Sequence, residues 1–361
     1  MKKQSISFLL ALFLFTVCMP QLTGQTAEPT LKDAYRNYFP IGVAVNPFDL
    51  RDPLATLIKQ QFNAITPANA LKMGPVHPEE NRYNWGPADQ IVDFAVANGM
   101  KIHGHVLCWH SQAPAWIFTN EKGDTVSKEV LLARLKKHIF DVVGRYKGRI
   151  AAWDVVNEAI ADEPNQFYRN NTWYRICGKD YIAKAFEYAH EADPNAILFY
   201  NDYNTEYPQK RDKVYRLLKE LIDAGVPVNA VGLQGHWSIY EPSEKNLRDA
   251  LDKYSSLKIG IMITELDVSV YPPEPEPRAI KPNETLAFTP ELEKKQAEQY
   301  KMFFKVFREY KNVITGVTFW GATDGQSWLN NFPVRGRTNY PLLFDREMKP
   351  KQEAYKAVVD F

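Results

Sequence analysis

Two glutamates in this chain stand at the ends of apolar runs, each among further polar groups. Glu158 closes Trp153-Asp154-Val155-Val156-Asn157-Glu158, and Glu265 lies within Ile263-Thr264-Glu265-Leu266-Asp267. Two carboxyl groups brought to one cleft are what cleavage of a glycosidic bond needs: one protonates the departing oxygen while the other attacks the anomeric carbon or activates water. Between them in chain order, Gly232-Leu233-Gln234-Gly235-His236-Trp237 supplies an imidazole. His236 beside Glu265 would keep that carboxyl ionised and nucleophilic, with Asp267 orienting the ring. Glu158 has no evident cationic partner in the sequence, which suits the proton donor. Either glutamate alone reads as a solvated strand end; the pair, joined by His236, reads as a site.

Groups so far apart in the chain meet only if strand ends converge. Short apolar runs at residues 40–45, 63–66, 101–108, 151–156, 197–200, 230–233, 259–264 and 317–319 alternate with segments of helical period, eight of each. This alternation implies parallel strands joined by crossover helices. Eight such units predict an α/β fold, a single-domain (β/α)8 TIM barrel, with its chemistry at the carboxyl ends of the strands. Asp52-Pro53 and Thr289-Pro290 read as helix caps followed by proline at the first helical position, and Ser127 and Ser243 suit two further caps. The proline-rich stretch from Tyr271 to Pro277 reads as a long loop after the seventh strand, because a domain boundary there would leave the barrel incomplete.

Composition narrows the partners. The 361 residues carry 44 Lys plus Arg against 43 Asp plus Glu, a net charge of +1, and 45% are hydrophobic. That apolar fraction excludes disorder, and the balanced charge lacks the positive field that nucleic-acid binding requires. Lys2 and Lys3 precede a short apolar run ending near Met19, so residues 1–25 read as a secretion signal and residues 26–361 as the catalytic domain. Export as a soluble protein is expected, without a membrane-spanning segment. Lipid attachment at Cys18 is the weaker alternative, since bulky Val17 precedes it. Cys108 and Cys177 form a single possible pair, so the core rather than a disulfide framework holds the domain.

The runs from Trp153 to Glu158, Ile263 to Asp267 and Gly232 to Trp237, together with Gly104 to Gln112, Tyr200 to Asn204 and Phe319-Trp320-Gly321 with Ser327-Trp328, resemble glycoside hydrolase family 10, the retaining endo-1,4-β-xylanases. The motifs fall in the family's order from about Tyr38 to the C-terminus. The resemblance implies a fold and an activity, with xylan and xylo-oligosaccharides as partners; a monomer is expected. It implies Glu158 as acid/base and Glu265 as nucleophile, in agreement with their neighbours. It further implies that Asn157 bonds the 2-hydroxyl of the sugar under attack, and that His236 and Gln234 hold the nucleophile and that sugar. Substrate contacts fall on Asn69, Lys72, His105 and Trp109. Trp320 and Trp328 match the tryptophans that close over the non-reducing side, and Tyr203 an aromatic of the leaving-group side. Pyranose rings offer apolar faces to such side chains, while polar groups read the equatorial hydroxyls. Trp85 and Trp116 read instead as core residues, and His138 and His190 as surface or interface residues.

One position departs from the family: Ala68, before Asn69, stands where a glutamate is usual. Its absence removes a hydrogen-bond partner for the distal sugar, worth on the order of 1 to 3 kcal/mol if that hydroxyl stays buried and unpaired. Residues 329–340, an insertion-like stretch, are expected to shape the cleft edge. Three other readings compete. A metal-dependent hydrolase would use His103 and His105 on one strand face, yet only His236 among later strand ends offers a further imidazole. A non-enzymatic carbohydrate-binding protein would keep the tryptophans and lose a carboxylate. A β-1,4-glucan hydrolase of a related barrel family would also use glutamates after strands four and seven; residues 232–237 with Trp320 and Trp328 argue against it. The hydrolytic chemistry requires neither metal nor organic cofactor.

Overall fold

Runs rich in Val, Ile and Leu form eight parallel strands, each followed by a helix whose apolar stripe covers them. In the computed structural model, which describes residues 29–274, 276–284 and 287–361, the strands are β1 (Ile41–Val45), β2 (Ala64–Pro67), β3 (Lys101–Gly104), β4 (Ala152–Asn157), β5 (Ile197–Asp202), β6 (Ala230–Leu233), β7 (Gly260–Ser269) and β8 (Ile314–Phe319). Each pairs in parallel with the next, and Ile41 opposite Val317 joins β1 to β8, closing the barrel. The helices that follow them in turn are α1 (Leu54–Gln61), α2 (Gly86–Ala97), α3 (Lys128–Tyr146), α4 (Asp180–Ala192), α5 (Pro208–Asp223), α6 (Glu244–Ser255), α7 (Pro290–Glu309) and α8 (Gln352–Val359). The expected secretion signal, its cleavage region and Cys18 lie outside the described residues.

Most of the apolar core lies between strands and helices. Inside the barrel it is confined to one end, where Phe199, Ala230 and Met262 meet half-buried Ala152. Two residues further along the same faces come Asn201, Gly232, Thr264 and Asp154, so the lumen turns polar towards the carboxyl ends. Gly232 is needed there: a Cβ on it would stand 2.2 Å from Oδ1 of Asn201. At Gly104 a Cβ would meet the Trp153 ring at 2.2 Å.

Three of the expected caps form. Ser127, Ser243 and Thr289 each accept a backbone N–H of the first turn, and Pro290 follows Thr289 at the first helical position. Asp52-Pro53 differs. The helix starts one residue later than that device requires, and Asp52 accepts the Thr56 hydroxyl (2.6 Å) rather than a backbone amide. The third strand is also shorter than expected: it stops at Gly104, and Cys108–Trp109 pairs separately with Val156–Asn157 at the end of β4. Conversely, β5 and β7 run on through polar residues to Asp202 and Ser269. Cys108 and Cys177 are free, buried thiols. His138, read as a surface or interface residue, is fully buried and meets His77 through their Nδ1 atoms at 3.1 Å. Its helix turns that face inward. His190 is exposed.

Among the described residues no helix is long and apolar enough to cross a membrane. The proline-rich loop after β7 pairs with the insertion-like stretch: Arg278–Ala279 lies parallel to Val334–Arg335, and buried Arg337 binds Glu274 (2.7 Å) and Glu284 (3.1 Å). These two irregular segments thus brace one another beside the mouth.

Candidate active site

Where β4 ends, the chain turns sharply. Glu158 adopts the left-handed backbone conformation, φ 57°, at a cost of about 1 to 2 kcal/mol for a residue with a Cβ. Its amide donates to the carbonyl of Asn201 (2.9 Å), and its carbonyl accepts Arg169 Nε (3.0 Å), which together fix the turn. The carboxylate points into the mouth. Oε2 accepts Trp109 Nε1 (2.9 Å), while Oε1 accepts Gln234 Nε2 (3.0 Å) and Asn157 Nδ2 (3.2 Å).

Glu265 faces the same space from β7. Asn201 Nδ2 donates to its Oε1 (2.8 Å), and His236 Nε2 donates to its Oε2 (3.2 Å). His236 Nδ1 bonds Asp267 Oδ2 (2.9 Å), which also takes Trp328 Nε1 (2.8 Å). Burial favours a neutral His236 ring, but the charge of Asp267 and the hydrogen bonds to Asp267 and Glu265 outweigh it and lift its pKa to about 10. Burial likewise pushes the Glu265 carboxyl up; the His236 hydrogen bond and the charges of His105 and His236 pull it further down, below the ordinary glutamate range. Glu265 is therefore an anion beside an imidazolium at neutral pH.

Asn201 joins the two sides. It is fully buried; its Nδ2 also reaches Asn157 Oδ1 (3.1 Å), and its Oδ1 accepts Thr264 Oγ1 (2.7 Å). Gln234 Nε2 reaches the same Asn157 oxygen (3.2 Å). The sequence reading assigned no role to Asn201 or Thr264. Their signal was available: a polar residue two places beyond an inward-facing Phe199 or Met262 must point into the same lumen.

The remaining expected residues line the rim. Lys72 Nζ donates to Asn69 Oδ1 (3.0 Å) and lies 5.0 Å from the Trp109 ring centroid. Burial lowers the Lys72 pKa, and the charges of Glu265 and Glu158 oppose that only in part. Asn69 Nδ2 is anchored on Asn46 Oδ1 (3.0 Å), and buried Ala68 brings no polar side chain. Trp320 meets His105 edge-on at 5.3 Å, and Trp328 lies 4.7 Å from His236 with Phe332 stacked on it. Tyr203 is tied more tightly into the protein than a free platform would be. Its hydroxyl bonds Asp162 and accepts Arg169 Nη2 (2.8 Å), with Lys210 Nζ 4.5 Å over the ring. His110 was also missed: its Nε2 stands 3.9 Å from Glu158 Oε2, and burial lowers its pKa to about 4.

His103 Nε2 (2.9 Å) and His105 Nδ1 (2.8 Å) both bond Asp154. Burial alone would raise the Asp154 pKa, yet these two rings bring it down to about 2. Each imidazole thus has one nitrogen committed to a carboxylate. Among the described residues no group of three or more His, Cys, Asp or Glu side chains is arranged to hold a metal ion.

Comparison with known proteins agrees with this architecture. The "Beta-1,4-xylanase" of Dictyoglomus thermophilum is 47% identical over 332 residues, covering 91% of this chain and 90% of that protein. "Endo-1,4-beta-xylanase B" of Paenibacillus barcinonensis is 46% identical over 333 residues, covering 92% and 98%. A crystal structure of xylanase XynB from the same organism, complexed with a conduramine derivative, superposes with a TM-score of 0.88 at 46% identity over 92% of this chain and 99% of that one. The family model described as Glycosyl hydrolase family 10 matches residues 30–361, and the chain belongs to that family.

Proposed function

We propose that this protein is a retaining endo-1,4-β-xylanase. The observation that carries the reading is the pair of carboxylates at the mouth, one of them ionised by its own imidazolium. Glu158 delivers its proton to the glycosidic oxygen as the Glu265 carboxylate attacks the anomeric carbon; the bond to the leaving sugar breaks and a glycosyl ester forms on Glu265. Water then attacks that carbon, gives its proton to Glu158 and frees Glu265, so the β configuration returns. His236, Asp267, Gln234 and Asn201 hold the nucleophile and its surroundings in register. Asn157 meets the 2-hydroxyl, and Asn69, Lys72, His105 and Trp109 read the next sugars. Trp320 and Trp328 cover the non-reducing side, with Tyr203 towards the leaving group.

The relatives are named as xylanases, which favours xylan over a β-1,4-glucan as substrate. The basic-then-apolar start of the chain supports export, and the proposed active form is a monomer. On soluble arabinoxylan the expected products are short oligosaccharides, with the mean chain length falling steeply before free xylose accumulates. Chromatographic profiling beside a soluble β-1,4-glucan checks this. Xylose as the first product, or faster turnover of the glucan, contradicts the proposal.

A further inference from the structure

Away from the mouth, the excursion between β4 and α4 runs along the outer face of α5 and leaves an open groove of about 750 Å³. Phe167, Tyr168 and Tyr174 line it from the excursion, with Lys179, Arg216 and Glu220 among its polar groups. Tyr168 and Tyr174 stack at 5.2 Å with 24° between planes, and Phe167 meets Tyr168 edge-on at 4.7 Å. All three rings are only partly buried.

The charges around these rings cancel one another. Glu220 binds Arg216 (2.8 Å) and Lys179 (3.7 Å), and Asp223 binds Lys219 (2.8 Å). Neither the Tyr168 nor the Tyr174 hydroxyl has a protein hydrogen-bond partner among the described residues. A groove of aromatic surface, open hydroxyls and self-neutralised charge offers nothing to a phosphate and little to a wholly apolar segment. It matches a neutral pyranose chain, which presents ring faces for stacking and hydroxyls for the phenols. The same excursion also reaches the cleft: Arg169, next to Tyr168, bonds the Glu158 carbonyl (3.0 Å) and the Tyr203 hydroxyl (2.8 Å).

We propose that this groove is a second carbohydrate-binding site, which holds another stretch of xylan while the cleft works on the polymer. The proposal rests on xylan being the substrate. Two linked contacts raise apparent affinity for a polymer long enough to reach both, and leave a short oligosaccharide unaffected.

The test compares adsorption to insoluble arabinoxylan for Glu265→Ala with and without Tyr168→Ala/Tyr174→Ala, and for Ala224→Arg, an exposed rim substitution that fills the groove without opening the core. The expected result is an adsorption constant at least about threefold lower in both groove variants. With Glu265 intact, the same substitutions leave kcat/KM on xylotetraose within about twofold and slow release of sugar from insoluble xylan. Unchanged adsorption in Ala224→Arg, or an equal loss on xylotetraose and on insoluble xylan, overturns the second site. Failure of the wild type on xylotetraose would instead overturn the proposed activity.

Discussion

Glu265→Ala is expected to lose turnover on xylan and on activated aryl xylosides alike, by on the order of 10⁴-fold or more in kcat. A good leaving group helps only the departure of the aglycone; it does nothing for the missing attack on the anomeric carbon. The nearly isosteric Glu265→Gln is expected to behave the same way, because its amide keeps the volume and a bond to Asn201 Nδ2 but carries no anion. The check is steady-state kinetics on both substrates, with thermal melting to confirm that each variant folds. More than about 1% of wild-type kcat on the aryl substrate would show that another group forms the covalent intermediate.

Glu158→Ala separates the two carboxylates. Proton donation by a positioned acid contributes roughly 10² to 10⁴-fold where the leaving group is a poor one, as in xylan. For a dinitrophenyl xylobioside, whose phenolate departs without a proton, kcat/KM is expected to stay within about tenfold of wild type. Its kcat falls nonetheless, because water must then attack the glycosyl ester without a base; added azide, which needs none, restores it. Equal losses in kcat/KM on xylan and on the aryl substrate would mean that Glu158 has been given the wrong role. The two carboxylates differ in their hydrogen-bond donors. Glu158 accepts neutral donors from Trp109, Gln234 and Asn157, whereas Glu265 accepts from an imidazolium.

The barrel follows from the alternation of apolar runs and helical segments, and the eight strands fall where those runs lie. Their ends were harder to read. Asn201-Asp202 and Glu265-Leu266-Asp267 extend β5 and β7, although carboxylates and amides are poor strand formers. Pairing with neighbouring strands inside a closed barrel overrides that propensity, and it does so at the candidate site. The same effect hid Asn201. Motif and neighbour arguments picked out Glu158, Glu265, His236 and Asp267, but the residue touching both Asn157 and Glu265 declares itself only through the inward face of β5. His138 was misread for a related reason: its buried partner, His77, comes from a segment far away in sequence. The bracing of the loop after β7 by residues 334 and 335 is likewise a long-range pairing without a local signature.

The most direct test of the account is a proton NMR time course of the first-formed anomer from xylohexaose. Double displacement through Glu265 predicts that the new reducing end appears as the β-anomer, with the α-anomer growing only at the rate of mutarotation. Initial appearance of the α-anomer would mean a single inverting attack by water, and a Glu265 that never bonds to sugar.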